Sequence, residues 1–540
     1  MKKSTICTIG LIFLALIPSC KSHEKKSDQQ ENNSEASKEA AASPVAALDE
    51  HEEIASAPVE ERKDIIIAVS GKMPSSDPRN AKELASMSLS SYVFEGLNHA
   101  SEEIHVLPDQ RVYTFTLRKA EWSDGSPITA HDFIASWKAT LDPKARHPNA
   151  YHLFVIENAK EAGSGKLPLD AVGIEALDER TLVVKLTQPQ AHFLEIIATP
   201  PFFAMPQKSL LQDSEEPLIS NGRYLIEKIT PEEIVLQKNP RYWNKDNVTF
   251  DTLKLQRFDE ATALNKFQNG EIDFLGAPFF QLSRTASEAL GLEKRLESTT
   301  GAAVQLIRIN VNSPLFSDIK MRQALSKAIV RSQLVKESEN MPVETASQFV
   351  PPCFQLETTT RIEENIEKAR ELFHEALFEN QLLKETIPQI SLTFQKNERN
   401  QKLAETLARQ WKEALDIDVT LDPIIAKSAF YQKLFRNDYQ LILGSWMADS
   451  KDPMLFLAPF QCRTNSSNAT GWENKEYASL ISKASTTQNP EERQKLLAQA
   501  EAILLQEMPL IPLVFCDYNF AKSTRLQQAS VTPFGALRLN

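Results

Sequence analysis

Glycine is scarce, 15 residues in 540 against 30 prolines. A phosphate cradle is built from glycines, and none is complete here: Gly163-Ser164-Gly165-Lys166 lacks both the earlier glycine and the hydroxyl residue after Lys166. Cysteine is scarcer still, with five residues, at 7, 20, 353, 462 and 516, which excludes a disulfide scaffold. No block of Lys and Arg offers a phosphate-neutralising stripe and the net charge is −12, so nucleic acid is excluded as a partner. Long apolar runs are absent beyond one N-terminal stretch too short for a comfortable span, which excludes an integral membrane transporter. Gly-x-Ser-x-Gly and His-Glu-x-x-His are both missing and the nine histidines are scattered. His147 and His152 read as solvated residues and not as metal ligands, because no cysteine or carboxylate cluster completes a site.

What is present is the composition of a folded protein, 42% hydrophobic and 24% charged, long enough for roughly three or four folding units. Met1-Lys2-Lys3, the apolar run 9–18 and Ser19-Cys20 follow the layout of a secretory signal. Leu16-Ile17-Pro18-Ser19-Cys20 resembles a bacterial lipobox, which implies cleavage before Cys20 and acylation of that residue. Two or three chains on one cysteine anchor stably where a single chain does not. Removal of 1–19 takes Lys2 and Lys3 with it and moves the net charge from −12 to −14. The body then keeps three thiols, enough for one internal disulfide at most. Residues 21–62 contain no Phe, Trp, Tyr or Gly and cannot bury enough surface to offset chain entropy. They are expected to form a tether reaching about 35–40 Å from a membrane.

From Lys63 onward β-branched or alternating runs recur, at 65–69, 112–117, 181–186, 234–237, 253–258, 304–311, 390–394, 417–421, 439–443 and 510–515. Helical faces separate them: Met321, Leu325, Ala328, Ile329 and Leu334 mark one, and Leu403, Leu407, Trp411 and Leu415 another. Helices over 398–415 and 490–506 each run into a strand, the alternation that builds open α/β sheets. The expected fold class is mixed α/β.

Four segments occur in order. The first is Glu95-Gly96-Leu97 with Trp122-Ser123-Asp124-Gly125-Ser126-Pro127 and Ser136-Trp137. In it Asp124-Gly125 is a turn pair, and Thr129 and Asp132 suit a helix start. The second is Asn221-Gly222-Arg223-Tyr224 through to Asn239-Pro240-Arg241-Tyr242-Trp243, where the proline fixes a turn and the two rings are expected to cover a sheet end. The third is Met321-Arg322-Gln323-Ala324-Leu325, and the fourth runs from Glu491-Glu492-Arg493 to Pro509-Leu510-Ile511-Pro512-Leu513. Together they resemble the extracytoplasmic solute-binding proteins of peptide ABC importers, over nearly the whole body from Ile65. The resemblance implies a two-lobed periplasmic-binding-protein fold with the ligand cleft between lobes that close by hinge motion. Lobe 1 would hold 63–308 and 516–540, with an extra subdomain at about 91–198. Lobe 2 would hold 309–515, and the crossings would lie at 307–311 and 514–517.

One cleft can accept many peptide sequences by pairing with ligand backbone, leaving side chains in roomy, watery pockets. The shared α-ammonium then needs a carboxylate, because an unpaired charge in a closed cleft is costly. Gly444-Ser445-Trp446-Met447-Ala448-Asp449 resembles the family's Trp-x-x-Asp loop, which implies that Asp449 binds the amino terminus. Trp446, Met447 and Ala448 are its expected neighbours, lining a pocket and pairing with ligand backbone. Ser70, Gly71, Lys72 and Met73, after the first strand, are expected to add backbone hydrogen bonds from lobe 1. Asn465 to Trp472 is expected to be structural. Arg436, Arg463 or another cation could meet the ligand carboxylate. The family reading implies oligopeptides, ABC permease subunits and, through the lipid, a membrane as partners, with no cofactor, no metal and no catalysis. It places a monomeric lipoprotein outside the cytoplasm. Murein-derived peptides, haem or a metal complex remain open as cargo, as do an exported peptidase and a peptide-sequestering receptor that meets no permease.

Overall fold

The computed structural model describes residues 63–539 apart from 82, 146, 148, 191–192, 211–217, 339–343, 449–450 and 466. The signal, Cys20, the tether and Asp449 therefore lie outside the described residues. The β-branched run after Lys63 forms β1 (Asp64–Val69). A separate antiparallel sheet follows, built from β2 (Ser101–Val106), β3 (Val112–Leu117), β4 (Ile174–Ala176) and β5 (Thr181–Lys185) in the order β2-β3-β5-β4. Helix α1 (Ala130–Leu141) lies within the same stretch of chain. Its start is fixed as the residue types suggest: the Asp132 carboxylate accepts from the Thr129 N–H (2.8 Å) and hydroxyl (3.0 Å).

The main sheet holds the remaining long strands: β6 (Tyr224–Ile229), β7 (Glu233–Lys238), β8 (Thr252–Arg257), β9 (Phe274–Gly276), β10 (Glu297–Ile309), β11 (Ile390–Gln395), β12 (Val419–Ile424), β13 (Leu441–Met447) and β14 (Leu510–Lys522). Their order is β12-β11-β13-β10-β14-β9-β1-β8-β7-β6. The two 13-residue strands at its middle, β10 and β14, run antiparallel to each other, and their outer neighbours pair with them at opposite ends. β14 pairs with β9 through 520–522, whereas β10 pairs with β13 through 303–309. The ladder between them breaks between Thr300 and Val304, opposite Cys516. The cores divide in the same way. One draws on residues up to Phe279 and again from Tyr518 onward, and two others draw on residues between Ala302 and Phe515.

Two expectations need correction. The strand expected at 304–311 runs instead over Glu297–Ile309. Residues 304–309 are already paired on both edges inside the second half of the sheet; the polar stretch 297–300 extends the strand upstream and hid its true start. The face marked by Met321 to Leu334 is not one helix but two, α2 (Ile319–Lys327) and α3 (Arg331–Ser338). The backbone leaves the helix between them, and the Val330 N–H turns to the Gln410 side-chain oxygen (3.1 Å). Helices α4 (Glu398–Leu415), α5 (Lys427–Phe435), α6 (Lys475–Thr486) and α7 (Pro490–Glu507) complete the second half. Among the described residues no disulfide joins Cys353, Cys462 and Cys516.

The motif residues lock the scaffold. Asn239 accepts from the Arg241 N–H and donates to the Gly222 carbonyl, both at 2.9 Å. The rings after Pro240 do more than cover a sheet end. Tyr242 Oη (2.8 Å) and Trp243 Nε1 (2.7 Å) both donate to the buried Glu95 carboxylate, which joins the first motif to the second. Asn468, fully buried, donates to the Trp472 carbonyl (2.8 Å) and accepts from the Thr470 hydroxyl (2.5 Å), the structural role expected of that run.

Candidate functional site

β11 pairs with β13 only through Leu441, Ile442 and Leu443. Beyond Leu443, among the described residues, β13 has a strand partner on its β10 edge alone. In an antiparallel ladder successive residues aim their backbone groups at opposite edges. Ala448 donates to the Ala302 carbonyl (2.9 Å) on the β10 side, so Trp446 and Gly444 face β10 as well. The N–H and C=O groups of Ser445 and Met447 are left pointing at the open edge. Both residues are exposed, Met447 at 53%.

A cavity of about 830 Å³ adjoins that edge. Ser445 and its cross-strand partner Gln305 form part of one wall, with the first turn of α4 behind them. Residues 280–284 form the opposite wall, and Asp517 and Asn519, on β14 just past the break, line it between the two. The cavity thus lies between the halves of the chain, beside the break in the β10–β14 ladder. Gln305, 3% exposed, donates to Asn400 Oδ1 (3.1 Å), and Asn400 donates to the Gln395 carbonyl (2.9 Å), which fixes α4 against β10. The charged residues on the walls have partners: Arg284 meets Glu288 (2.8 Å) and Lys402 meets Glu398 (2.8 Å). The walls are polar and their charges largely neutralised, a surface suited to backbone amides and water.

Ser70 and Gly71 line a neighbouring cavity that shares residues 280–283 with the first. The Ser70 N–H is already committed to the Phe279 carbonyl (3.0 Å), and its hydroxyl accepts from the Gln281 N–H (3.1 Å). It is thus a brace for the 280–284 wall, and its N–H is withdrawn from the set of ligand donors. Gly71 has φ +69° with open space where a Cβ would stand, Lys72 is exposed, and Met73 packs on the first-lobe core. Among the described residues no group hydrogen-bonds the backbone of 71–73. Trp446 turns away from the large cavity toward Phe349 (6.3 Å) and Phe460 (5.9 Å). Ala448 is buried at 4%. Neither Arg436 nor Arg463 lines the cavity, and Arg463 pairs with Glu473 (3.6 Å). Gln305, Asn400, Asp517, Asn519 and the 280–284 wall went unread in the sequence; the one signal was Gln305, a polar residue inside an apolar strand.

Phe349, under Trp446, is held by Glu501 of α7, whose Oε1 accepts from the N–H groups of Phe349 (2.9 Å) and Val350 (2.8 Å) while Oε2 has no partner. Burial pushes this carboxyl up to about 7. From its ordinary value of 4.5 up to about 7 the folded chain keeps a proton that the unfolded chain has released, so stability falls as pH rises through that window. Glu501→Gln, which keeps the two hydrogen bonds without the charge, is expected to raise stability by about 1–2 kcal/mol near pH 8 and by nothing near pH 4. Urea unfolding at the two pH values checks this.

Residues 97–468 match the model of the bacterial extracellular solute-binding proteins, family 5. The chain is 31% identical over 480 residues to the oligopeptide-binding protein OppA of Bacillus subtilis (strain 168), covering 83% of this chain and 87% of that protein. It is 31% identical over 458 residues to the dipeptide-binding protein DppE of the same strain, covering 81% and 82%. Among solved structures, the unliganded open form of the periplasmic murein tripeptide-binding protein MppA superposes with a TM-score of 0.76 at 24% identity, covering 88% of this chain and 95% of that one. By sequence and by its two-lobed fold, the chain belongs to the bacterial extracellular solute-binding proteins of family 5.

Proposed function

We propose that this protein is a lipid-anchored receptor that captures oligopeptides between its lobes and delivers them to an ABC import permease. The observation that carries the reading is the open edge of β13 at Ser445 and Met447, beside a polar cavity of about 830 Å³. A peptide added there as a further strand would satisfy backbone groups present in every peptide, whatever its side chains. Backbone of 71–73, without a hydrogen-bond partner among the described residues, supports the same reading. Lobe closure about the break at 301–303 and Cys516 would bring the two together. Asp449, from its place in Trp446-x-x-Asp449, is assigned to the ligand ammonium, and Cys20 to the acyl anchor. The relatives' printed ligands, oligopeptides and dipeptides, agree with this class of cargo.

The test is calorimetry with a peptide carrying a free α-amino group and with its N-acetylated twin. The free peptide should bind, and acetylation should weaken binding more than tenfold. Equal affinity for both would overturn the ammonium assignment, and failure of both to bind would overturn peptides as cargo. Mass spectrometry of small molecules that copurify gives an independent reading of the natural ligand.

A further inference from the structure

The face of β13 opposite the large cavity carries a buried cation with no anion among the described residues. Arg308, on β10, is 5% exposed. Among the described residues it makes no ion pair and donates no hydrogen bond, and its Nε is buried without a partner. Its guanidinium carbon stands 5.2 Å from the centre of the Trp446 ring, with the aromatic side chains of Phe430 and Tyr439 buried on the same face. The same transverse row of the sheet holds Ile442, Thr393 and Asp422 in register with Arg308. Asp422 is three strands away, about 14 Å, and is already held by Lys433 and Thr393, both at 2.9 Å. An isolated charge in such a place is costly unless something neutralises it.

Gly444 sits on the same face, and a Cβ there would meet only Arg308 Nη1 at 3.3 Å and Phe430 at 3.8 Å. The missing side chain leaves room over β13 that the guanidinium borders closely, with Phe430 beside it. It adjoins the open edge where the proposed cargo lies. A strand added to that edge sends alternate side chains to the two faces of the sheet. Those on one face enter the large cavity, and those on the other reach the gap over Gly444.

We propose that Arg308 is the counter-charge for a carboxylate of the cargo, taken up over Gly444, and that the protein therefore prefers peptides bearing an acidic group at one position. The planar guanidinium fork matches a carboxylate bidentately, and the aromatic walls strengthen the pair by excluding water. This rests on the peptide reading above. The carboxylate could be an Asp or Glu side chain or the terminal α-carboxylate, and the experiment separates them.

Alanine tripeptides to pentapeptides with free amino termini, carrying Glu or Gln at each later position in turn and ending as acid or amide, are titrated by calorimetry into the full-length protein and its Arg308→Gln variant. The expected result is one position, internal or terminal, where the charged form binds wild type at least tenfold more tightly than its neutral twin. In Arg308→Gln that ratio should collapse toward one, while neutral peptides keep their affinity within about threefold. Arg308→Lys, which retains the charge without the fork, should keep part of the ratio, and it serves if the Gln variant does not fold. A wild type that binds charged and neutral twins alike, or a ratio that survives in Arg308→Gln, overturns the assignment while leaving peptide binding intact. A wild type that binds none of the peptides overturns the peptide reading and this assignment with it.

Discussion

Arg493→Ala is expected to cost about 3–5 kcal/mol of stability, far beyond the 0–1 kcal/mol typical of an exposed ion pair. Arg493 Nη2 donates to both oxygens of Asp452, at 3.0 and 2.8 Å, with the two side chains 13% and 4% exposed. Asp452 in turn accepts from the Met454 N–H (2.8 Å), and Arg493 Nε donates to the Ala484 carbonyl (3.1 Å). One guanidinium therefore ties α7 to the end of α6 and to the chain that leaves β13. Truncating it removes the cation from a buried carboxylate and a donor from the Ala484 carbonyl together. The paired replacement Asp452→Asn with Arg493→Met removes both charges and should cost less than Arg493→Ala alone, because the penalty is mainly that of the stranded anion. Urea unfolding of wild type and the two variants decides the order. A loss under 1 kcal/mol for Arg493→Ala would mean that water reaches Asp452 and the link is dispensable.

The parts of this architecture legible in the sequence are those set by local chemistry. The helix 398–415 matches its expected bounds because Asn397 caps its first turn, accepting from the Asn400 N–H, and its apolar stripe is unbroken. The cap before α1 was readable from Thr129 and Asp132 for the same reason. The residues that make the site depend on which strands meet, and pairing across some 140 residues leaves no local mark. That β11 stops pairing with β13 at Leu443 is invisible in the run around Trp446. The break in β10 was missed because the polar stretch 297–300 has no one-sided alternation, although it pairs with β14 throughout. The readable sign lay elsewhere: in the buried run 302–309 only Gln305 and Arg308 are polar. One braces the cavity wall, and the other carries the proposed carboxylate site.

Asp449→Ala should weaken binding of a free-amine peptide by about 2–5 kcal/mol, roughly 30- to 4,000-fold in Kd at 1.4 kcal/mol per decade. The described residues flanking this position are fixed: Ala448 is tied to Ala302, and Asp452 is held by Arg493. The loss comes mainly from the ammonium left without a counter-charge in a closed cleft, so removing both charges should cost less than the two single losses added together. The N-acetylated peptide should therefore bind Asp449→Ala and wild type with nearly the same affinity. Asp449→Asn separates charge from hydrogen bonding: it keeps an acceptor for the ammonium but not the anion, and should fall between the two. Strict additivity of the mutation and the acetylation would show that Asp449 and the amino terminus do not meet, and would move the ammonium site to another carboxylate of the cleft, with Asp517 on its floor the first to replace.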